Sequence, residues 1–253
     1  MKLKNSLLVL GLSAAVFAGC KKDDPEPDPV FGDVSLKFDN MAGTQDLALG
    51  SGSYTNAHGD AFTVSLFNYY ISNVKLKRAD GTYFTEPNSY HLVKETDAAS
   101  TTIKLTEVPE GEYTAVQFLI GVDSARNVSG AQTGALDPAN GMFWSWNSGY
   151  IMAKVEGTSP QSTQATQDII FHVGGFSGAN NALRTVTLPL NTRAKVSADV
   201  DPVVTLKADV LAWFAAPNVI DFATTNVIHM PGTEAKSLAD NYVSMFSVKS
   251  VTN

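Results

Sequence analysis

From residue 34 onward, apolar and polar side chains alternate with a period of two. "VSLKFDN" sets Val34, Leu36 and Phe38 against Ser35, Lys37 and Asp39, and "TIKLTEV" sets Ile103 and Leu105 against Lys104 and Thr106. "VTLKADV" does the same with Val204, Leu206 and Ala208 against Thr205, Lys207 and Asp209. Successive side chains of a strand point to opposite faces, so each stretch predicts a strand with one face buried. Further strands are predicted at 62–76, 89–95, 112–122, 143–156, 168–173 and 183–190. The alternation also extends the strand through "LKADVLAWF". Asp80-Gly81, set between two β-prone runs in "NVKLKRADGTYF", predicts a tight hairpin, and the polar run 157–167 predicts a loop at another hairpin end. Helix is scarce. Only "TEAKSLADNYVSMF", with Leu238, Tyr242, Met245 and Phe246 at helical spacing, predicts a short helix near the C-terminus. Many strands joined by Gly, Asn and Pro turns predict an all-β fold: an antiparallel β-sandwich with a short C-terminal helix.

The first residues do not belong to that domain. "MKLKNSLLVLGLSAAVFAGC" has a basic start, an apolar run too short to span a bilayer, and small residues before Cys20. It reads as a signal peptide over residues 1–19. "FAGC" resembles a bacterial lipobox, which implies cleavage before Cys20 and lipidation of its thiol. Cys20 is the single cysteine of 253 residues, so it has no internal disulfide partner. Residues 20–33 are acidic and proline-rich and read as an extended tether. "CKKDD" looks like the export signal of surface lipoproteins in the Bacteroidetes. A lipid-anchored protein of the outer membrane, facing the cell exterior, is the expectation. Residues 34–253 form the domain, with no repeat and no second linker. Losing residues 1–19 removes two of the 18 basic residues, Lys2 and Lys4, and none of the 25 acidic ones, for a charge of about −9. That balance argues against nucleic acid as a partner.

Candidate chemistry is sparse. There is no phosphate-cradling glycine loop, no zinc-type cysteine cluster, no His-Glu-x-x-His and no Gly-x-Ser-x-Gly. Four histidines remain: His58, His91, His172 and His229. His172 in "IIFHVGGF" shares a strand face with Ile170 and Gly174, and the two glycines after it open space. Such a histidine reads either as a packed strand residue or as a ligand. His91 in "SYHLVK" alternates with Val93 and could point into the same interior. His58 in "NAHGD" reads as an exposed loop residue. His229-Met230 pairs two donors that suit copper. Trp144 and Trp146, two of the three tryptophans, share one face of a regular strand and read as core aromatics or as part of a site. Asp123, Asp137 and Asn140 offer oxygens for calcium, though no spacing resembles an EF-hand.

The stretches "VSLKFDNMAGTQDLALGSGSYTNAHGDAFTVSLFNYYISNVKL", "FLIGVDSARNVSGAQTGALDPANGMFWSWNSGYIMAKVEG", "FHVGGF" and "SLADNYVSMFSV" together resemble the MbnP-like family, β-sandwich proteins named for a copper-binding protein associated with methanobactin genes. The likeness covers most of residues 34–248, and the block from "GVDSARN" to "WNSGY" is its specific part. The resemblance implies copper held by histidines together with kynurenine, an oxidised tryptophan made by a dihaem peroxidase-type partner. Carried over by motif, Trp144 is the candidate for oxidation and His172 the candidate ligand. A related copper protein carries Trp-x-His where this chain has Trp-x-Trp. Trp146 therefore stands where a second imidazole is expected and becomes a wall of the site. His58, His91 or His229 must complete the ligand set, and Asp123 is a candidate acceptor behind the ligating imidazole.

Three readings follow. The first is a surface lipoprotein that binds copper or another metal for capture, storage or delivery, and is not an enzyme. The second is a metal-free surface module for a glycan or protein partner, with Trp144, Trp146 or Tyr150 as a stacking platform. The third is a hydrolase with an unrecognised site. Histidines converging on the "WSW" strand favour the first; outward tryptophans with scattered histidines favour the second; a buried nucleophile–base pair in a cleft favours the third.

Overall fold

The computed structural model describes residues 28–130, 132–145 and 148–253, so the leader, Cys20 and Trp146 lie outside the described residues. The smaller sheet centres on β1 (Phe31–Ala42), which begins three residues earlier than the alternation from Val34 predicts. Beside it run β2 (Gln45–Asp46), β7 (Thr102–Pro109), β13 (Val203–Asp209) and, beyond β13, β15 (Phe246–Thr252). The larger sheet is organised by β4 (Ala61–Arg78), an 18-residue strand. β4 pairs with β10 (Gly149–Thr158) along residues 63–69 and with β8 (Gly111–Ile120) along residues 71–78. β3 (Tyr54–Thr55), β5 (Tyr83–Thr85) and β6 (Tyr90–Lys94) also pair with β4, and β12 (Arg184–Val196) extends the sheet beyond β8. On the other side, β11 (Asp168–Gly174) and β14 (Val227–Ile228) follow β10.

The sandwich is antiparallel at most pairings, as the short turns predict. Among the described residues two pairings are parallel: β1 with β13, and β11 with β14. Each of those joins segments far apart in sequence, which no hairpin pattern announces. The Asp80-Gly81 hairpin forms between β4 and β5, with Asp80 Oδ1 accepting the Thr82 backbone N–H at 2.8 Å.

Two local readings need correction. Residues 143–156 are not one strand. β9 (Phe143–Ser145) folds back on β10, with Gly149 opposite Ser145. Gly149 sits at φ +71°, where the left-handed region favours glycine, so Ser148-Gly149 turns the chain into β10. The strand through "LKADVLAWF" stops at Asp209, whose side chain caps a 3-10 turn over residues 210–214 by accepting the Leu211 N–H. The short helix α2 (Thr233–Tyr242) forms as predicted and buries Leu238 and Tyr242, but β15 follows it and closes the smaller sheet.

The core is aromatic. Phe38 of the smaller sheet meets Tyr69 and Phe118 of the larger at ring-centroid distances of 6.0 and 6.1 Å, edge to face. A second cluster joins Phe62, Phe171, Phe214 and Phe222, with Phe222 at 5.5, 5.8 and 4.9 Å from the other three. Edge-on aromatic packing adds to the area each ring buries. Trp213, the tryptophan outside the "WSW" stretch, is fully buried and donates its indole N–H to Met245 Sδ at 3.1 Å.

Because Phe222 is fully buried among three rings, Phe222→Ala is expected to cost about 3–5 kcal/mol. Tyr83→Ala at an exposed position is expected to change stability by less than about 0.5 kcal/mol. Urea unfolding of the two variants checks the contrast.

Candidate metal centre

The alternation of β11 decides the site. Ile169, Phe171 and Val173 are fully buried in the core, so Ile170, His172 and Gly174 face outward. In the register of the larger sheet, His172 lies opposite Lys154 of β10, and Lys154 lies opposite Asn68 of β4. On the other side, β14 runs parallel to β11 with Ile228 opposite Phe171. His229 therefore follows directly beside His172. Their rings stand 5.1 Å apart, centroid to centroid, at 76°.

Trp144 completes the row. It is partly buried, and its ring lies against Gly174: a Cβ built at that glycine would sit 2.4 Å from Trp144 Cζ3. Gly174 is two residues beyond His172 on the same face, so about 7 Å separates them along the strand. The glycine read from sequence as an opening is thus the seat of the tryptophan. Met230 is exposed, and a surface cavity is lined by residues 227–235, with His229 and Met230 among them.

His172 is held from behind. Its Nε2 pairs with Glu156 Oε1 at 2.8 Å, and Lys154 Nζ reaches the same oxygen at 3.2 Å. With Nε2–H donated to Glu156, a neutral ring carries its lone pair on Nδ1. Burial, joined by the Lys154 charge and His229, pulls the His172 pKa below its ordinary value against the opposing pull of Glu156. Burial works to raise Glu156, but the His172 hydrogen bond and Lys154 outweigh it and hold the carboxyl low. The pair at neutral pH is a neutral imidazole on a carboxylate, the form a metal ligand needs. In the same face, Asn68 Oδ1 is a buried oxygen with no hydrogen-bond donor among the described residues.

The other predicted residues lie elsewhere. His91 pairs through Nε2 with Glu86 Oε2 at 2.9 Å. It sits on β6, three strand spacings from β11, about 14 Å away. By register it also belongs to the face opposite His172, because Lys94, not His91, aligns with Asn68 and Lys154. Asp123 does not back His172. Its carboxylate caps α1 (Ser124–Asn127) by accepting the Arg126 N–H at 3.1 Å, and it also accepts from the Tyr90 hydroxyl and the Asn73 amide. Glu156 has the role instead. Its signal was its i+2 spacing from Lys154 on a strand whose partner only the register could name. Asp137 caps a 3-10 turn through the Ala139 N–H, and Asn140 holds the carbonyls of Gly134 and Ala135. These groups hold the turns at residues 123–127 and 134–140. Tyr150 is no stacking platform: it is 1% exposed, packs on Phe143 and Tyr70, and donates its hydroxyl to Leu136 O. His58 joins neither group of residues. It lies beside Asp60 and Asp221.

The MbnP family model matches residues 31–231. The chain belongs to the MbnP family. Among solved structures, MbnP from Methylosinus trichosporium superposes with a TM-score of 0.51 at 16% identity, covering 80% of this chain and 82% of that one. At that identity the MbnP likeness carries the fold. No curated protein matches in sequence. The MbnP match spans β1 to the loop after His229, and so includes every residue of the imidazole face.

Gly174→Ala is expected to drive Trp144 off its seat and to cost about 1–3 kcal/mol, read as a lower urea midpoint. A pH effect follows from His172. The unfolded chain titrates this histidine near about 6.5, and the fold lowers it. Below that ordinary value the unfolded state binds a proton that the folded state does not, so stability falls as pH drops through it. His172→Gln is expected to lose less stability than the parent between about pH 7 and pH 5, in urea titrations at each end.

Proposed function

We propose that this chain captures copper at the cell surface and stores or passes it on, without catalytic turnover. The reading rests first on the pairing of His172 and His229 at 5.1 Å beside Trp144. Two imidazoles with a thioether at hand form a donor set that suits copper, and Cu(I) in particular. His172 would bind through Nδ1, with Glu156 fixing its tautomer; His229 would supply the second nitrogen; Met230 is placed to add sulfur. Copper itself would supply a soft Lewis-acid centre. Trp144 walls the site, or, if oxidised to kynurenine by a dihaem peroxidase-type partner, adds an aniline or carbonyl donor.

Membrane attachment rests on the leader alone. The apolar run, the small residues and the lone Cys20 support a lipid anchor, and "CKKDD" supports an outward-facing position on the outer membrane. A tether of a dozen or so residues would hold the domain clear of the bilayer surface.

The test combines intact mass with copper content on protein from its native host, before and after loading with Cu(I) and Cu(II). Stoichiometric copper is expected. His172→Ala and His229→Ala should each abolish tight binding, while Glu156→Gln weakens it about 10–100-fold. Replacement of one carbon by one oxygen, mapped to Trp144, would mark the kynurenine. Copper retained at parental affinity in both histidine variants would sink the proposal.

A further inference from the structure

His58, Asp60 and Asp221 lie apart from the imidazole face and are built differently. Asn56-Ala-His-Gly-Asp60 is a tight turn between β3 and β4. It is closed by the Asn56 N–H to Asp60 O at 3.0 Å and by the Gly59 N–H to Asn56 O at 3.1 Å, with Gly59 at φ +101°. Asp60 is almost fully buried. Its Oδ2 accepts from the Phe222 N–H at 2.9 Å and from Asn56 Nδ2 at 3.2 Å, and its own N–H is held by Asn56 Oδ1 at 2.8 Å. Asn56 also donates to Ile220 O at 2.9 Å, which locks the turn to the 220–226 loop. The Phe222 ring, buried in the core, fixes that loop from below. Asp221, one residue earlier, is thereby delivered to the turn, its Oδ1 held by the Ala223 N–H at 2.8 Å.

The donor atoms of the three side chains converge. His58 Nδ1 is 3.1 Å from Asp60 Oδ1 and 3.9 Å from Asp221 Oδ1, and all three ligand atoms lie within 4.8 Å of one another. Around a tetrahedral ion with bonds of about 2.0 Å, neighbouring ligand atoms are about 3.3 Å apart. One edge of such a site is already at that length, and the others need only the rotation of two partly exposed side chains. His58 is 47% exposed and Asp221 31%, so the site opens to solvent on the side away from Asp60. No Lys or Arg among the described residues pairs with either carboxylate. A divalent cation would place two positive charges between two carboxylates.

We propose that His58, Asp60 and Asp221 form a second metal site, for a first-row divalent cation of the zinc type. One imidazole and two carboxylates fit zinc with a fourth position open to water, whereas calcium needs six or more oxygens. Asp60 is the fixed ligand, positioned by Asn56 and the Phe222 amide as outer partners orient a metal-binding carboxylate. The donor set is harder than two imidazoles and a thioether, so the two sites differ in the metal each prefers.

Zinc binding by the chelator-stripped protein, measured by calorimetry and by the visible absorption of Co(II) in zinc's place, tests the site. His58→Ala and Asp221→Asn should each weaken zinc by more than about tenfold, with the cobalt bands altered or lost, while His172→Ala leaves both unchanged. Both substituted side chains are partly exposed, so the variants are expected to keep the parental melting curve. Absence of zinc binding in the parent would overturn the proposal. So would parental zinc affinity in His58→Ala and Asp221→Asn, or loss of the zinc with His172→Ala.

Discussion

Phe222 packing into Phe62, Phe171 and Phe214 is the contact on which both candidate sites depend. Phe171 belongs to β11, and its burial turns His172 and Gly174 outward. Phe62 is the second residue of β4, two residues after Asp60 and four after His58. Phe222 itself draws the 220–226 loop onto the sheet, which brings Asp221 to the His58 turn and starts β14 beside β11. An aromatic core is stiff because each ring is wedged against several others, edge-on or tilted. The polar groups above it therefore inherit fixed positions without needing to be buried themselves.

The outer face of the larger sheet is where the chain departs from ordinary strand patterning. Strand positions facing solvent normally carry isolated polar groups. Here Lys154, Glu156, His172 and His229 form one connected row, with Trp144 laid over a glycine at its end. Burial and the Lys154 charge keep the histidine neutral against the pull of Glu156, which orients the ring while remaining ionised itself. That is a preorganised base, and groups held in this way are more frequent at functional sites than at ordinary surface positions. The second row, at His58, achieves orientation by another route: a backbone turn and a buried asparagine hold one oxygen of Asp60 so that the other faces its neighbours.

Much of this was legible in the residues. The period-two runs locate most strands, and "PGTEAKSLADNY" locates α2, because local periodicity reflects local burial. "IIFHVGGF" puts His172 on one strand face with Ile170 and Gly174 by the same rule, though not the direction of that face, and the likeness of "GVDSARN…WNSGY" points to the MbnP family that the match over residues 31–231 establishes. The readings that failed have physical causes. Residues 143–156 run apolar on both sides of "NSG", and hydrophobicity outweighed a turn that Gly149 makes obligatory. Asp209 capped a 3-10 turn where alternation continued the strand, since a side-chain cap competes with the ladder for the same backbone N–H.

Sequence by itself determined most of the elements, the strand face that His172 shares with Ile170 and Gly174, and the likeness to the MbnP family. These depend on neighbours along the chain, whose spacing is fixed by covalent geometry. Tertiary structure alone decided which histidine meets His172, which carboxylate stands behind it, and which aspartates meet at His58. Those pairings arise from a parallel bridge between β11 and β14, from the register of β10, and from a loop over 160 residues away in sequence from the turn it completes. No local pattern encodes them, because the free energy that selects them is the burial of rings on the other side of the sheet.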